Sequence, residues 1–152
     1  MAETRSHHFL RQLNHEASIV FEALITPSQI RSWWSAKQVI VIPKVGGILC
    51  ATWGNDEDVP EFTCFASIKV FEPGQRLVFH NYTYVSPEGG LPFDADFETA
   101  FEIRPTDKGV DLTVDQAGFP VDSIADDYYD SCEKGWEDTL ASLERFLRVK
   151  SM

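Results

Sequence analysis

The 152 residues carry 13 Lys and Arg against 24 Asp and Glu, a formal charge of −11. This argues against a nucleic-acid partner and against an anionic membrane surface, since both are held through basic side chains. Hydrophobic residues make up 43% and charged residues 24%, the balance of one globular domain that buries its core without disulfide or metal staples. Cys50, Cys64 and Cys132 are odd in number and not closely paired, which reads as reduced thiols. With no apolar secretion segment and no membrane-length apolar run, the expected location is cytoplasmic.

In chain order, residues 7–13 are expected as a first strand. A helix follows over about 15–25, with Asn14 as its cap and Ala17, Val20, Phe21 and Leu24 on one face. Thr26-Pro27-Ser28-Gln29 predicts a second, short helix from Pro27 to Trp33 or Trp34. Thr26 caps it, Pro27 takes the first helical position and Gln29 completes a capping box. Residues 38–42 and 48–53 read as strands around the Gly46-Gly47 turn. The acidic run 54–61 is a loop, 62–71 a strand, Glu72-Pro73-Gly74-Gln75 a tight turn, 76–85 a strand and 86–94 a Pro- and Gly-containing loop.

Residues 95–104 alternate, with Phe97, Thr99, Phe101 and Ile103 opposite Asp96, Glu98 and Glu102. Residues 110–117 set Val110, Leu112 and Val114 opposite Asp111, Thr113 and Asp115. One apolar and one polar face imply an antiparallel sheet covered on one side. The cover is the closing stretch 122–150, where Tyr129, Cys132, Trp136, Leu140, Leu143 and Leu147 recur every three or four residues. Asp122 and Ser123 suit its N-cap. Asp126, Asp127, Asp130 and Glu133 crowd its first half and Arg145, Arg148 and Lys150 its end, as the helix dipole favours. Gly135 suggests a close neighbour there. The expected fold is α+β: a curved antiparallel sheet of about seven strands wrapped around a long C-terminal helix, with two short helices after strand 1. Two such layers leave a wedge, the usual place for a small-molecule cavity.

Trp34, Tyr82, Phe101, Tyr128, Cys132 and Trp136 are the candidate lining of that wedge, with plain core filling as the simpler alternative for each. Trp33 and Trp34 are adjacent, so only one is expected to point inward, leaving the other a partly exposed plate. His80, grouped with Val78, Tyr82 and Tyr84, is a candidate to orient a ligand or move a proton; a solvent-facing or satisfied histidine is the simpler reading. Gln116 continues the inward row of Val110, Leu112 and Val114, either as a polar anchor at the cavity end or as the strand leaving the core. No metal site is expected: His7 and His8 face opposite ways and no ligand spacing is present. Motifs for a nucleophile elbow, a phosphate loop or a dinucleotide are absent, so no cofactor is expected. A hairpin centred near Glu57 would set Cys50 opposite Cys64, two small residues packing together, and three thiols should titrate in the unfolded protein.

The order of elements resembles the helix-grip fold of the START/SRPBCC superfamily. Four local patterns narrow the resemblance. They are Val20-Phe21-Glu22-Ala23-Leu24-Ile25-Thr26-Pro27 running to Trp33-Trp34, Val45-Gly46-Gly47, and Glu72-Pro73-Gly74-Gln75-Arg76-Leu77-Val78-Phe79. The fourth is Gly118-Phe119-Pro120 followed by Gly135-Trp136 and Leu140. Together they look like the family named for the C-terminal domain of the activator of the 90-kDa heat-shock protein's ATPase. The resemblance implies a cavity under the long helix. Superfamily relatives bind lipids, sterols, polyketides or plant hormones there, and some are cyclases or hydrolases. The founding member is a two-domain co-chaperone, and 152 residues are expected to hold one such domain.

Three expectations follow. The first is a module binding a small hydrophobic molecule without turnover. The second is a cyclase- or hydrolase-type enzyme using His80 and Gln116. The third is a protein-interaction domain, with a chaperone partner in a stress response or as a homodimer, docking through exposed aromatics such as Trp33.

Overall fold

The computed structural model describes residues 3–56 and 58–151. Seven strands form one antiparallel sheet: β1 (Thr4–Leu13), β2 (Gln38–Val41), β3 (Ile48–Trp53), β4 (Phe62–Glu72), β5 (Arg76–Val85), β6 (Glu98–Thr106) and β7 (Gly109–Pro120). Helices α1 (Ala17–Ile25) and α2 (Pro27–Trp34) stand between β1 and β2. Helix α3 (Asp126–Lys150) closes the chain after the 3-10 turn Ser123–Ala125. The spatial order β1-β7-β6-β5-β4-β3-β2 is a meander from β2 to β7, with β1 added beside β7. The two short helices carry the chain from one edge of the sheet to the other.

The period-2 pattern places the inner face of the sheet as expected. Phe97, Thr99, Phe101 and Ile103 are buried, as are Val110, Leu112 and Val114. The closing helix behaves differently along its length. Leu140, Leu143 and Leu147 are at most 2% exposed. Burying a leucine fully contributes about 1.5–3 kcal/mol, so this end is firmly seated. No residue from Asp126 to Thr139 is buried. At about 1.5 Å per residue α3 is roughly 37 Å long, and its first half stands off the sheet.

Helix starts differ from their sequence signals. Glu16, not Asn14, precedes α1, with no side-chain cap bond. Thr26 precedes α2, but its side chain makes no cap bond. Gln29 does not fold back; its side-chain oxygen accepts from Lys150 Nζ at 3.1 Å and joins α2 to the end of α3. Asp122 heads the 3-10 turn and Ala125 precedes α3, again without a side-chain cap. The charge bias survives, with Asp126 and Asp127 in the first turn and Arg148 and Lys150 in the last.

Two of the sheet's bulges set which side chains reach the space under α3. On β5, His80 pairs with Ser67 and Thr83 with Phe65, so Asn81 and Tyr82 together oppose one residue of β4. Asn81 takes φ 54°, a left-handed conformation that Asn tolerates better than most residues. The extra residue shifts the alternation, so Leu77 and Phe79 face inward before it, and Tyr82 and Tyr84 after it. On β7, Gln116 pairs with His7 and Phe119 with Arg5. Gly118, at φ 97°, absorbs the extra residue, which lets both Gln116 and Phe119 face α3.

The β3–β4 register corrects the cysteine pairing. Glu57, the expected hairpin centre, lies outside the described residues. Trp53 pairs with Phe62, so the axis falls between two positions and not on one. Cys50 then opposes Phe65, and Ala51 opposes Cys64. A one-residue slip changes the face of every side chain, so Cys64 points inward and Cys50 outward. All three cysteines are free thiols.

Candidate functional site

Polar ties hold α3 along β1. Arg5 Nη2 donates to Asp126 Oδ1 at 2.6 Å, and its guanidinium carbon stands 4.2 Å from the centre of the Tyr129 ring. His7, 5% exposed, stacks on Tyr129 with ring centres 3.8 Å apart and donates through Nε2 to the Tyr129 carbonyl at 2.8 Å. The Tyr129 hydroxyl donates to the Ser6 carbonyl at 2.9 Å. Arg11 pairs with Glu137 and, at 3.3 Å, with Glu144. The helix thus leans on β1, and the space between its first half and the middle of the sheet is only partly filled.

That space is a cavity of about 510 Å³. Its floor is Phe79, Tyr82 and Tyr84 of β5, Thr99 and Phe101 of β6 and Gln116 of β7. Its roof is Tyr128, Cys132, Gly135, Trp136 and Thr139 of α3. Leu24, Ile30, Trp33 and Trp34 close one side with Leu49 and Cys64, and Leu91, Phe93, Asp94, Ala95 and Phe97 close the other.

The polar groups of the wall are mostly satisfied by one another. Tyr82 donates to Thr99 Oγ1 at 2.7 Å. Thr99 and Gln116 are cross-strand partners, and Trp136 Nε1 donates to Gln116 Oε1 at 2.6 Å. A polar band therefore runs from β5 across β6 and β7 to α3. Burial pushes the Cys64 thiol up to about 12, with Cys50 adding to the shift. Burial, then neighbouring cysteines, also raises the Tyr82, Tyr84 and Tyr128 phenols. The Cys132 thiol is raised by burial, against a hydrogen bond from Tyr128 one turn away. All five groups are protonated at neutral pH, so they offer neutral hydrogen-bonding groups and not thiolate nucleophiles or phenolate bases. No Lys, Arg or His lines the cavity, and Asp94, on the exposed loop, is the one charged side chain in the wall among the described residues.

Trp34, Tyr82, Phe101, Gln116, Tyr128, Cys132 and Trp136 all reach the wall. His80 does not. The Asn81 bulge separates its face from that of Tyr82 and Tyr84, leaving His80 beside Ser67 on the outer side. Trp33 and Trp34 both line the cavity, because neighbours on a helix project about 100° apart and not in opposite directions. Trp33 is 7% exposed, with its indole donating to the Ala23 carbonyl at 2.8 Å. It is thus no exposed docking plate. Trp34 is half-buried, stacked on Trp33 with ring centres 6.0 Å apart and edge-on to Trp53 at 4.8 Å. Gly135 has no close neighbour: a Cβ built there meets nothing within 4 Å. It fronts open cavity.

Sequence reasoning missed Cys64, Tyr84 and Thr99 as wall residues, along with Leu91 and Phe93 in the loop before β6. Leu91 and Phe93, flanking Pro92 in an otherwise polar connection, were the available signal, since isolated apolar residues in a loop tend to cover something. Among the described residues, no group of three or more His, Cys, Asp or Glu side chains could hold a metal ion. No helix among them is long and apolar enough to cross a membrane.

A seven-stranded antiparallel sheet gripping a long C-terminal helix, with a cavity between them, defines a helix-grip domain of the SRPBCC class. Residues 14–148 match the family model described as "Activator of Hsp90 ATPase homolog 1-like protein", and the chain belongs to that family. Solved structures of similar fold include MLL2253 from Mesorhizobium loti, at 23% identity and TM-score 0.75, covering 95% of this chain and 97% of that one. A protein from Rhizobium leguminosarum matches at 22% identity and TM-score 0.79, covering 97% of each chain. DynU16, described as a putative protein in the dynemicin biosynthetic locus, matches at 16% identity and TM-score 0.74, covering 94% of this chain and 47% of its own. At these identities the likeness is one of fold. No curated protein sequence matches the chain.

Proposed function

We propose that this protein binds a small, largely apolar molecule, of lipid, sterol or polyketide-like character, between its sheet and the first half of α3, without turning it over. The observation that carries this reading is the split in α3. Three leucines seat its C-terminal half, and its N-terminal half roofs a cavity of about 510 Å³. That volume falls within the roughly 300–1,000 Å³ range of small-molecule pockets. Aromatic and aliphatic side chains supply most of the wall, and a few polar groups stand where they can fix orientation. Binding fits better than catalysis, because the wall's thiols and phenols are held protonated and its other polar groups are amide and hydroxyl.

The test is a thermal-shift screen of fatty acids, sterols and aromatic polyketides, with native mass spectrometry of protein purified from its own host. Stabilisation by one class, or a co-purifying small molecule, supports the reading. A bare protein that no class stabilises removes it.

A further inference from the structure

The Gln116 amide sits in the middle of the polar band, and its orientation is fixed by chemistry. An indole N–H only donates, so the group that meets Trp136 Nε1 at 2.6 Å must be the amide oxygen. The nitrogen end then turns away from Trp136. Among the described residues no hydrogen-bond partner meets that nitrogen, while no buried side-chain nitrogen or oxygen lacks a partner. The amide N–H₂ therefore keeps contact with open space, and the open space beside Gln116 is the cavity. Two donors are left waiting for an acceptor.

The same wall has no cation to receive an anionic ligand. Lys, Arg and His are absent from it, and Asp94 brings a negative charge to the loop side. A carboxylate moved into this cavity would lose its water and gain no counter-charge, a cost that a neutral oxygen does not incur.

Taking the cavity as the binding site, we infer that its ligand is uncharged and carries a carbonyl-type oxygen, which accepts a hydrogen bond from the Gln116 amide while Trp136 holds that amide in place. Free fatty acids and other carboxylates are excluded by the same wall. Ketones, quinones, lactones and esters with a flat or chain-like apolar body fit it.

Three probes of nearly one shape separate these terms: fluorene, 9-fluorenone and 9-fluorenecarboxylate, titrated at pH 8 with quenching of the wall tryptophans as the signal. The expected order is fluorenone tighter than fluorene by about five- to tenfold, the yield of one hydrogen bond, with the carboxylate weakest. Gln116→Glu keeps an oxygen for Trp136 and removes the donors. Gln116→Met removes the donors without adding charge. Both variants, checked for unchanged folding by thermal melts, should lose the preference for the ketone over fluorene.

Equal binding of fluorene and fluorenone, a ketone preference that survives both substitutions, or tightest binding by the carboxylate would overturn this inference and leave the cavity reading standing. Binding of none of the three would remove both.

Discussion

Arg5 donates to Asp126 across 2.6 Å and so fastens β1 to the first residue of α3. The same guanidinium lies over the Tyr129 ring. Both contacts fall on the half of the helix that buries no residue, so polar ties hold the roof of the cavity where burial does not. Arg5 and Asp126 keep 28% and 51% of their side-chain surface exposed, and a pair of that kind contributes at most about 1 kcal/mol to global stability. Arg5→Ala should therefore leave the melting temperature nearly unchanged. Its effect should be local: backbone hydrogen exchange quickens several-fold over 126–139 and stays as it was over 140–150. Equal acceleration along the whole helix would show that its two halves are not held separately.

The two halves should also answer oppositely to substitution. Leu143 is 1% exposed, and Leu143→Ala should cost about 2–5 kcal/mol in urea unfolding, the range for a large-to-small change in a packed core. Gly135→Ala should stabilise by roughly 0.5–1 kcal/mol, because alanine is the better helix former and its methyl enters open space. A loss of stability on Gly135→Ala would mean that the cavity is closed over that glycine in solution.

Much of the scaffold could be read in advance, and the reasons the rest could not are local. Phe97, Thr99, Phe101 and Ile103 alternate without interruption, and the helical spacing of Leu140, Leu143 and Leu147 is regular, so both faces followed from periodicity alone. His80 and Tyr82 show where that method fails. They share a parity in sequence, yet one bulge residue at Asn81 sends them to opposite sides of the sheet. An asparagine is permissive of that conformation without demanding it. The Cys50 and Cys64 pairing failed for a similar reason, since whether a hairpin axis falls on a residue or between two depends on the loop. The cavity itself left a weaker trace. Sequence pattern tells which side chains face inward, but the standoff of α3 comes from its lean toward β1 through Arg5, His7 and Arg11, contacts more than a hundred residues apart in the chain.

Alkaline pH should destabilise the protein through the cavity wall. The Cys64 thiol stands at about 12 in the fold, against 9.0 for an ordinary thiol, so the folded state holds its proton longer than the unfolded state does. A raised folded value gives stability that is complete below about pH 9 and lost as pH climbs toward 12. The Tyr82 and Tyr128 phenols, raised in the same direction by burial, add to the loss above pH 10. Stability to urea should be flat in these groups from pH 7 to 9 and fall beyond. Tyrosinate absorbance at 295 nm should show Tyr82 and Tyr128 ionising together with unfolding, and Cys64→Ala should make the decline between pH 9 and 12 shallower. Phenolate assigned to Tyr82 or Tyr128 by Tyr82→Phe and Tyr128→Phe, appearing at its ordinary pH in a still-folded protein, would mean that the wall is wet.

Gly118 carries the register change that lets β7 present both Gln116 and Phe119 to the helix. Its φ is 97°, and a Cβ built there would stand 2.2 Å from the Asp96 carbonyl oxygen. A side chain therefore meets backbone, which cannot move aside as a flexible side chain can. Phe119 is fully buried, edge-on to His7, Phe97 and Tyr129 at about 5 Å, so a shift of the bulge would disturb the cluster under the start of α3. Gly118→Ala should cost more than the roughly 1 kcal/mol at which an alanine forced to positive φ begins to tell, and should weaken ligand binding besides, because Gln116 lies two residues away on the same strand. Gly90→Ala is the control. That glycine lines the cavity from the loop, and its built Cβ comes no nearer than 3.7 Å to the Tyr84 carbonyl oxygen, so its melting temperature should match the parent. Equal stability of the two variants would mean that the chain can pass this point without the bulge, and that Gln116 is free to leave the cavity.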